Sequence, residues 1–127
     1  MFDEIFENLN DAQRKAVEYG EGPLLIIAGA GTGKTSVITS RIVSLIKNHS
    51  LKPEQILAVT FTEKASEEME ERVDLMLPLG YSDMWIHTFH ALCERILRAH
   101  ALDIGLPADF EMLSDIEQRI FLRERLL

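Results

Sequence analysis

Cysteine, basic charge and long apolar runs are all scarce in this chain. Cys93 is the single cysteine, so no internal disulfide can form, and a reducing compartment, the cytoplasm, is expected. No apolar run approaches the ~20 residues that span a bilayer, and the opening MFDEIFENLN is acidic rather than signal-like, so no membrane role is expected. Lys and Arg number 13 against 21 Asp and Glu, for a formal net charge of -8. Taken globally, that argues against a nucleic-acid partner, because phosphate contacts need Lys and Arg. A small basic site can still sit on an acidic molecule. Internal repeats and low-complexity linkers are also missing. What remains is ordinary globular composition, 127 residues at 46% hydrophobic, enough for one modest core.

The apolar residues are spaced as alternating helices and strands. Asn10 and Gln13 frame a capping box for a short helix over Asp11–Glu18, and Gly20, Gly22 and Pro23 then break the chain. Leu24–Ala28 is a continuous apolar strand of the kind covered on both faces of a sheet. The helix after Gly33 puts Ile38, Ile42, Leu45 and Ile46 on one face. Past Pro53, Ile56–Phe61 is a second strand and Thr62 caps the next helix. There Ala65, Met69, Val73 and Met76 form the buried stripe, while Glu67, Glu68, Glu70 and Glu71 stay in water. Pro78 and Gly80 end that helix. Met84–Thr88 is a third strand, followed by a helix with Leu92, Ile96 and Leu97 inward. This alternation predicts an α/β fold: a parallel sheet with flanking helices and right-handed crossovers. After about His100 the pattern changes. Gly105 and Pro107 make a turn, and Ser114-Asp-Ile-Glu117 is a capping box for a last helix carrying Ile116, Ile120 and Phe121. Three strands make a thin sheet, and the last helix stops at Leu127 without a visible cap. The chain is therefore expected to be the front piece of a longer protein.

Chemistry concentrates between the first strand and the helix after it. Ala28, Gly29, Ala30, Gly31, Thr32, Gly33, Lys34 and Thr35 fit the P-loop pattern, with Ala28 where the first glycine usually stands. The glycines free the backbone so that several N–H groups can point inward, and the helix start adds its positive dipole end. Lys34 is expected to reach the β and γ phosphates as a mobile charge, and the Thr35 hydroxyl to ligate the Mg²⁺ that bridges them. A plain glycine turn is the bland reading; the strand before, the helix after and the intact Gly-Lys-Thr outweigh it. A P-loop alone does not say which NTPase carries it.

Three further stretches narrow the choice: LNDAQRKAV before the loop, AVTFTEKASEEMEERV at the end of the second strand, and IHTFHALCERILRAH at the end of the third. The ends of parallel strands are where ligands bind in open α/β sheets. Together with the P-loop these stretches resemble the UvrD/Rep/PcrA family of superfamily 1 DNA helicases. The resemblance runs from Leu9 to about His100, and more loosely through GLPADFEMLSDIEQ. It implies an incomplete P-loop NTPase (RecA-like) fold with a helical C-terminal extension. Residues 1–101 would be the N-terminal part of the ATP-binding motor domain, and 102–127 the start of an inserted helical subdomain. It implies ATP and Mg²⁺ as cofactors and single-stranded DNA and duplex junctions as partners. Its function would be ATP-driven translocation and unwinding in DNA repair or replication. Gln13 becomes the adenine selector, since its amide offers a donor and an acceptor to the N6/N7 edge; as a bare residue it is equally the capping partner of Asn10. Thr60, Phe61 and Thr62 become a single-stranded-DNA contact, with Phe61 stacking on a base. Thr88 and His90 join it, and Phe89 between them is expected to be buried. Without the resemblance, Phe61 reads as a core aromatic and Thr62 as a helix cap. Lys64 and Arg72 are solvated helix positions by default. His87, His90 and Cys93 are spaced three apart, but they straddle a strand end and a helix start and do not point to a metal site.

The sequence also departs from the family pattern. Many relatives carry Asn where Glu63 stands; an acid is favourable at a helix start but repels a phosphate. Many carry Arg where Ser36 follows the P-loop threonine, so stacking on adenine must come from elsewhere than Ser36. Neither later strand ends in the Asp-Glu pair that holds Mg²⁺ and orients water, and SDIEQ around Asp115 is better explained as a capping box. The chain is therefore expected to be inactive alone and to offer one wall of a two-walled site. A helicase–nuclease subunit, a natural ATP-binding module without turnover and, more distantly, a small-molecule kinase are the rival readings.

Overall fold

The computed structural model describes residues 6–77 and 84–126. In chain order these form α1 (Asp11–Glu18), α2 (Lys34–Asn48), β1 (Leu57–Thr60), α3 (Glu63–Met76), β2 (Trp85–Thr88), α4 (Phe89–His100) and α5 (Asp115–Leu126). The chain divides into two compact units, Met1–Leu92 and Cys93–Leu127.

In the first unit β1 and β2 pair in parallel, Ala58 opposite Ile86 and Thr60 opposite Thr88. Parallel neighbours need a long crossover, and α3 supplies it. Side chains alternate across a strand, so Ala58, Thr60, Ile86 and Thr88 turn to the buried face while Leu57 is exposed. Against that face pack Met69, Val73 and Leu77 from α3 and its end, and Ile42, Val43 and Ile46 from α2. The cap of α3 is the expected one: Thr62 Oγ1 accepts from Ala65 N at 3.2 Å. At its other end, the Met76 carbonyl accepts from Lys47 Nζ of α2 at 2.7 Å. Pro78 and Gly80, expected to stop this helix, lie outside the described residues.

Two expectations change. Residues 24–28 form no strand, and the sheet of described residues has two strands, β1 and β2. A strand exists through the neighbour that bonds its backbone, and an apolar composition cannot supply one; Leu25 and Ile27 are accordingly 82% and 89% exposed. On α2, Ile38 is 41% exposed whereas Val37, Thr39, Ser40, Ile42, Val43, Ser44 and Ile46 are buried. The buried stripe is centred one residue away from the one expected, because it must serve α1 on one side and α3 on the other.

The second unit holds the rest of α4, a turn and α5. Arg98 bonds Glu94 at 2.7 and 2.8 Å and lies 4.9 Å over the Phe110 ring. Gly105 takes a left-handed φ of 76°, and the chain turns back so that Leu106 N bonds the Ala101 carbonyl at 2.8 Å. Of the α4 side chains expected inward, Leu92 and Leu97 are half-buried and Ile96 is exposed. Ser114 caps α5 as expected. Its backbone N–H and its hydroxyl both donate to Glu117 Oε2, at 2.8 and 2.6 Å, and the Glu117 N–H reaches Ser114 Oγ at 3.4 Å. Those bonds favour the ionised acid, and the Glu117 carboxyl is held below its ordinary value, chiefly by the Ser114 hydroxyl and then by the Ser114 N–H.

Candidate functional site

The loop between Leu24 and α2 is built as a cradle. Gly31 and Gly33 carry φ of 73° and 84°, a region that a side chain disfavours; Gly29 lies outside it. Gly33 is the N-cap of α2 and receives no side-chain cap bond, so the first N–H groups of that helix face the loop. Within the loop, Thr32 Oγ1 donates to the Gly29 carbonyl at 2.8 Å. Lys34 Nζ curls back onto the same strip, donating to the Ala28 carbonyl at 3.1 Å and also to that of Gly29. Ala30 is exposed at the turn, while Thr35 and Ser36 are half-buried on the first turn of α2. Behind them the wholly buried Thr39 hydroxyl donates to the Thr35 and Ser36 carbonyls at 3.0 and 3.1 Å. A mobile ammonium, free helix N–H groups and a glycine backbone suit a polyphosphate.

Gln13 is placed against this cradle by its own helix. Asn10 Oδ1 accepts from Gln13 N, and Asn10 N donates to Gln13 Oε1, both at 2.9 Å. Of the two expected roles of Gln13, the capping one is seen directly. Its oxygen closes the capping box, and its Nε2 crosses to the Thr32 carbonyl at 3.0 Å. A Cβ on Gly33 would sit 2.8 Å from that nitrogen. Beside the amide opens a cavity of about 190 Å³ lined by Asn10, Gln13, Ala16, Ile27, Thr32 and Lys34, among others. Pockets for drug-sized ligands run to roughly 300–1,000 Å³, so this space is on the scale of a ring system beside the cradle rather than of a whole nucleotide.

The second expected surface lies at the C-terminal ends of the two strands. Phe61 is 89% exposed, and its ring lies 5.7 Å from that of Phe89, tilted by 49°. Phe89 was expected to be buried and is 53% exposed; it opens α4 at the strand end and leans on Phe61 instead of entering the core. His90 is exposed beside it. The threonines turn inward. Thr60 is buried, with its hydroxyl 3.0 Å from the Thr62 carbonyl and 2.6 Å from Ser66 Oγ. Thr88 is buried with its hydroxyl accepting from Ala91 N at 3.1 Å, and the Thr62 hydroxyl caps α3. Contacts from Thr60 and Thr88 to any outside group thus fall to their backbone. Lys64 pairs with Glu68 at 3.9 Å. A second cavity, about 220 Å³, runs past Glu63, Glu67, Glu70 and His87; its carboxylates disfavour a phosphate there. Among the described residues, no three His, Cys, Asp or Glu side chains converge as metal ligands.

Residues 9–127 match the model of the UvrD/REP helicase N-terminal domain. The chain belongs to the UvrD/REP helicase family. It is 46% identical over 115 residues to the ATP-dependent DNA helicase PcrA of Bacillus subtilis, covering 91% of this chain and 16% of that protein. It is 44% identical over 123 residues to DNA helicase II of Escherichia coli (97% and 17%). To DNA helicase II of Haemophilus influenzae it is 46% identical over 128 residues (98% and 18%). The chain thus spans about one sixth of the length of these curated relatives.

In this UvrD/REP domain, one residue near the site has no counterpart in the sequence reading. Arg41 of α2 bonds four carbonyls at the end of α1. An arginine on a helix reads as a solvated position, and its partners lie more than 20 residues away. The available signal was phase: Arg41 falls one turn after Val37 and just before Ser44, on a stripe that is otherwise buried.

Proposed function

We propose that this chain is the nucleotide-binding portion of the first motor domain of an ATP-dependent DNA helicase, with a P-loop NTPase (RecA-like) architecture. Residues 1–101 would belong to that domain and 102–127 to the start of a helical subdomain. The observation that carries the reading is the Gln13 amide, held 3.0 Å from the Thr32 carbonyl at the lip of a left-handed glycine cradle, in a UvrD/REP family chain. The residues fit ATP. The cradle and Lys34 suit the phosphates, the cavity beside Gln13 suits a base, and the Thr35 hydroxyl at the second position of α2 would hold Mg²⁺, which would supply charge neutralisation for the phosphates. Bound Mg²⁺·ATP supplies an electrophilic γ-phosphate whose loss releases the energy for movement. Lys34 leaves the Ala28 and Gly29 carbonyls to offset negative charge on the β and γ oxygens. Gln13 reads the adenine edge through the donor and acceptor of one amide.

At the strand ends, Phe61 stacks on a base of single-stranded DNA without reading sequence. The Thr62 and His90 side chains and the backbone at Thr60 and Thr88 sit along the same rim. β1 and β2 end in threonines rather than in carboxylates, so neither of these strand ends supplies a carboxylate pair to orient the attacking water. The work done would be translocation on single-stranded DNA in repair or replication, in a cytoplasm where the exposed Cys93 stays reduced.

A chimera tests this. The chain replaces the matching 115 residues of Bacillus subtilis PcrA, and ATP hydrolysis is measured with and without single-stranded DNA. DNA-stimulated hydrolysis that disappears in Lys34→Ala is expected. A folded chimera that binds ATP but hydrolyses it indifferently to DNA refutes the reading.

A further inference from the structure

We infer that Arg41 is a positioning residue for nucleotide selection: it clamps the C-terminal end of α1, and so fixes where Gln13 stands over the cradle. Its Nη1 donates to the carbonyls of Ala16 at 3.0 Å, Val17 at 3.2 Å and Tyr19 at 2.8 Å, and its Nη2 to that of Gly20 at 3.3 Å. The Ala16 and Val17 carbonyls are among those that the last turn of a helix leaves without partners, those of Tyr19 and Gly20 follow directly after it, and a cation there also meets the negative end of the helix dipole. The guanidinium lies 6.0 Å from the centroid of the Tyr19 ring. The need for a clamp follows from the size of α1. It has eight residues and buries one of them, Val17, so apolar packing alone holds it weakly. Two polar ties make up the difference. At the N-terminal end Gln13 Nε2 bonds Thr32, and at the C-terminal end Arg41 gathers four carbonyls. Both ties lead to α2 or the loop that starts it. Arg41 stands six residues after Thr35, roughly 9 Å along the helix, and its partners are all on α1 and the turn after it. It acts through the placement of α1. The fork geometry matters, because a lysine offers one point charge where the guanidinium spreads aligned donors over four acceptors.

This inference rests on the proposal that Gln13 reads adenine. The test is therefore a set of equilibrium titrations of the chain with Mg²⁺·ATP, Mg²⁺·GTP and Mg²⁺·tripolyphosphate. For Arg41→Met, ATP affinity is expected to fall roughly three- to tenfold, the range of a lost net hydrogen bond. GTP and tripolyphosphate affinities stay within about twofold. Arg41→Lys recovers part of the ATP preference, and it carries the same comparison should Arg41→Met fail to fold. An equal loss for tripolyphosphate overturns the inference, since Arg41 would then support the cradle as a whole. If Gln13→Ala flattens the ATP-over-GTP ratio while both Arg41 variants keep it, Arg41 has no positioning role and the adenine reading stands. If Gln13→Ala leaves the ratio unchanged, or the unmodified chain binds none of the three ligands, the reading beneath falls and the inference with it.

Discussion

A single methyl group on Gly33 should damage both halves of the nucleotide site at once. Alanine at a φ of 84° sits in the left-handed region, which costs about 1–2 kcal/mol for an L-residue. The same methyl lands 2.8 Å from Gln13 Nε2, inside any carbon–nitrogen contact distance. The amide must swing away and lose its 3.0 Å bond to the Thr32 carbonyl, a further loss of about 0.5–1.5 kcal/mol. Together the two effects come to about 1.5–3.5 kcal/mol. If the loop keeps its shape, Gly33→Ala lowers the unfolding free energy by that amount; if the loop relaxes, ATP binding weakens by roughly 13- to 370-fold. Chemical denaturation and an ATP titration on the same preparation capture both routes, and their sum is the quantity predicted. The double variant with Gln13→Ala separates the contributions. With the amide gone, adding the Gly33 methyl should cost only the backbone part, about 1–2 kcal/mol. A Gly33→Ala protein with unchanged stability and unchanged ATP affinity refutes the geometry assigned to the cradle, and a penalty independent of Gln13 refutes the contact between them.

Three other perturbations have definite expected outcomes. Phe61→Ala should weaken single-stranded-DNA binding by about 1–3 kcal/mol, to a similar extent for different base compositions. Fluorescence anisotropy with homopolymer oligonucleotides reads it, and a loss confined to one base would contradict stacking. Thr62→Ala removes the cap on α3 and should lower stability by about 1 kcal/mol, seen as an earlier midpoint in urea with the slope unchanged. The Ser114 cap makes α5 sensitive to acid. The folded-state pKa of Glu117 is depressed, so its stabilisation is present above the ordinary carboxylate range and is lost as pH falls through the lowered value. Circular dichroism should show helix lost on acidification, less steeply in Ser114→Ala; identical acid transitions in the two proteins would contradict the assignment.

Local signals in this chain were legible, and long-range ones much less so. Asn10 with Gln13, Thr62 with Ala65 and Ser114 with Glu117 are partners three residues apart, so spacing alone reveals them. The parallel pairing of β1 and β2 followed from strand–helix–strand order. Residues 24–28 show the limit: their apolar character was plain, but a strand is a relation between two segments, and the second is not among those described. Phase is a finer limit, since shifting the buried stripe of α2 by one residue moves Ile38 outward and makes room for Arg41. Phe89 was misjudged because burial was inferred for an aromatic beside a strand, whereas here one exposed ring rests on another.

The bare apolar run before the cradle bears on how the chain behaves in a tube. Leu24 to Ile27 is an uncharged, proline-free stretch with two side chains almost wholly in water, the kind of segment that seeds β-type association between molecules. A net charge of -8 opposes such encounters through mutual repulsion. That repulsion reaches only about 10 Å at 0.1 M salt and about 3 Å at 1 M. Molar salt would therefore remove what keeps the copies apart, and dilute, low-salt buffer well above the acidic range is the condition in which this chain should stay monomeric.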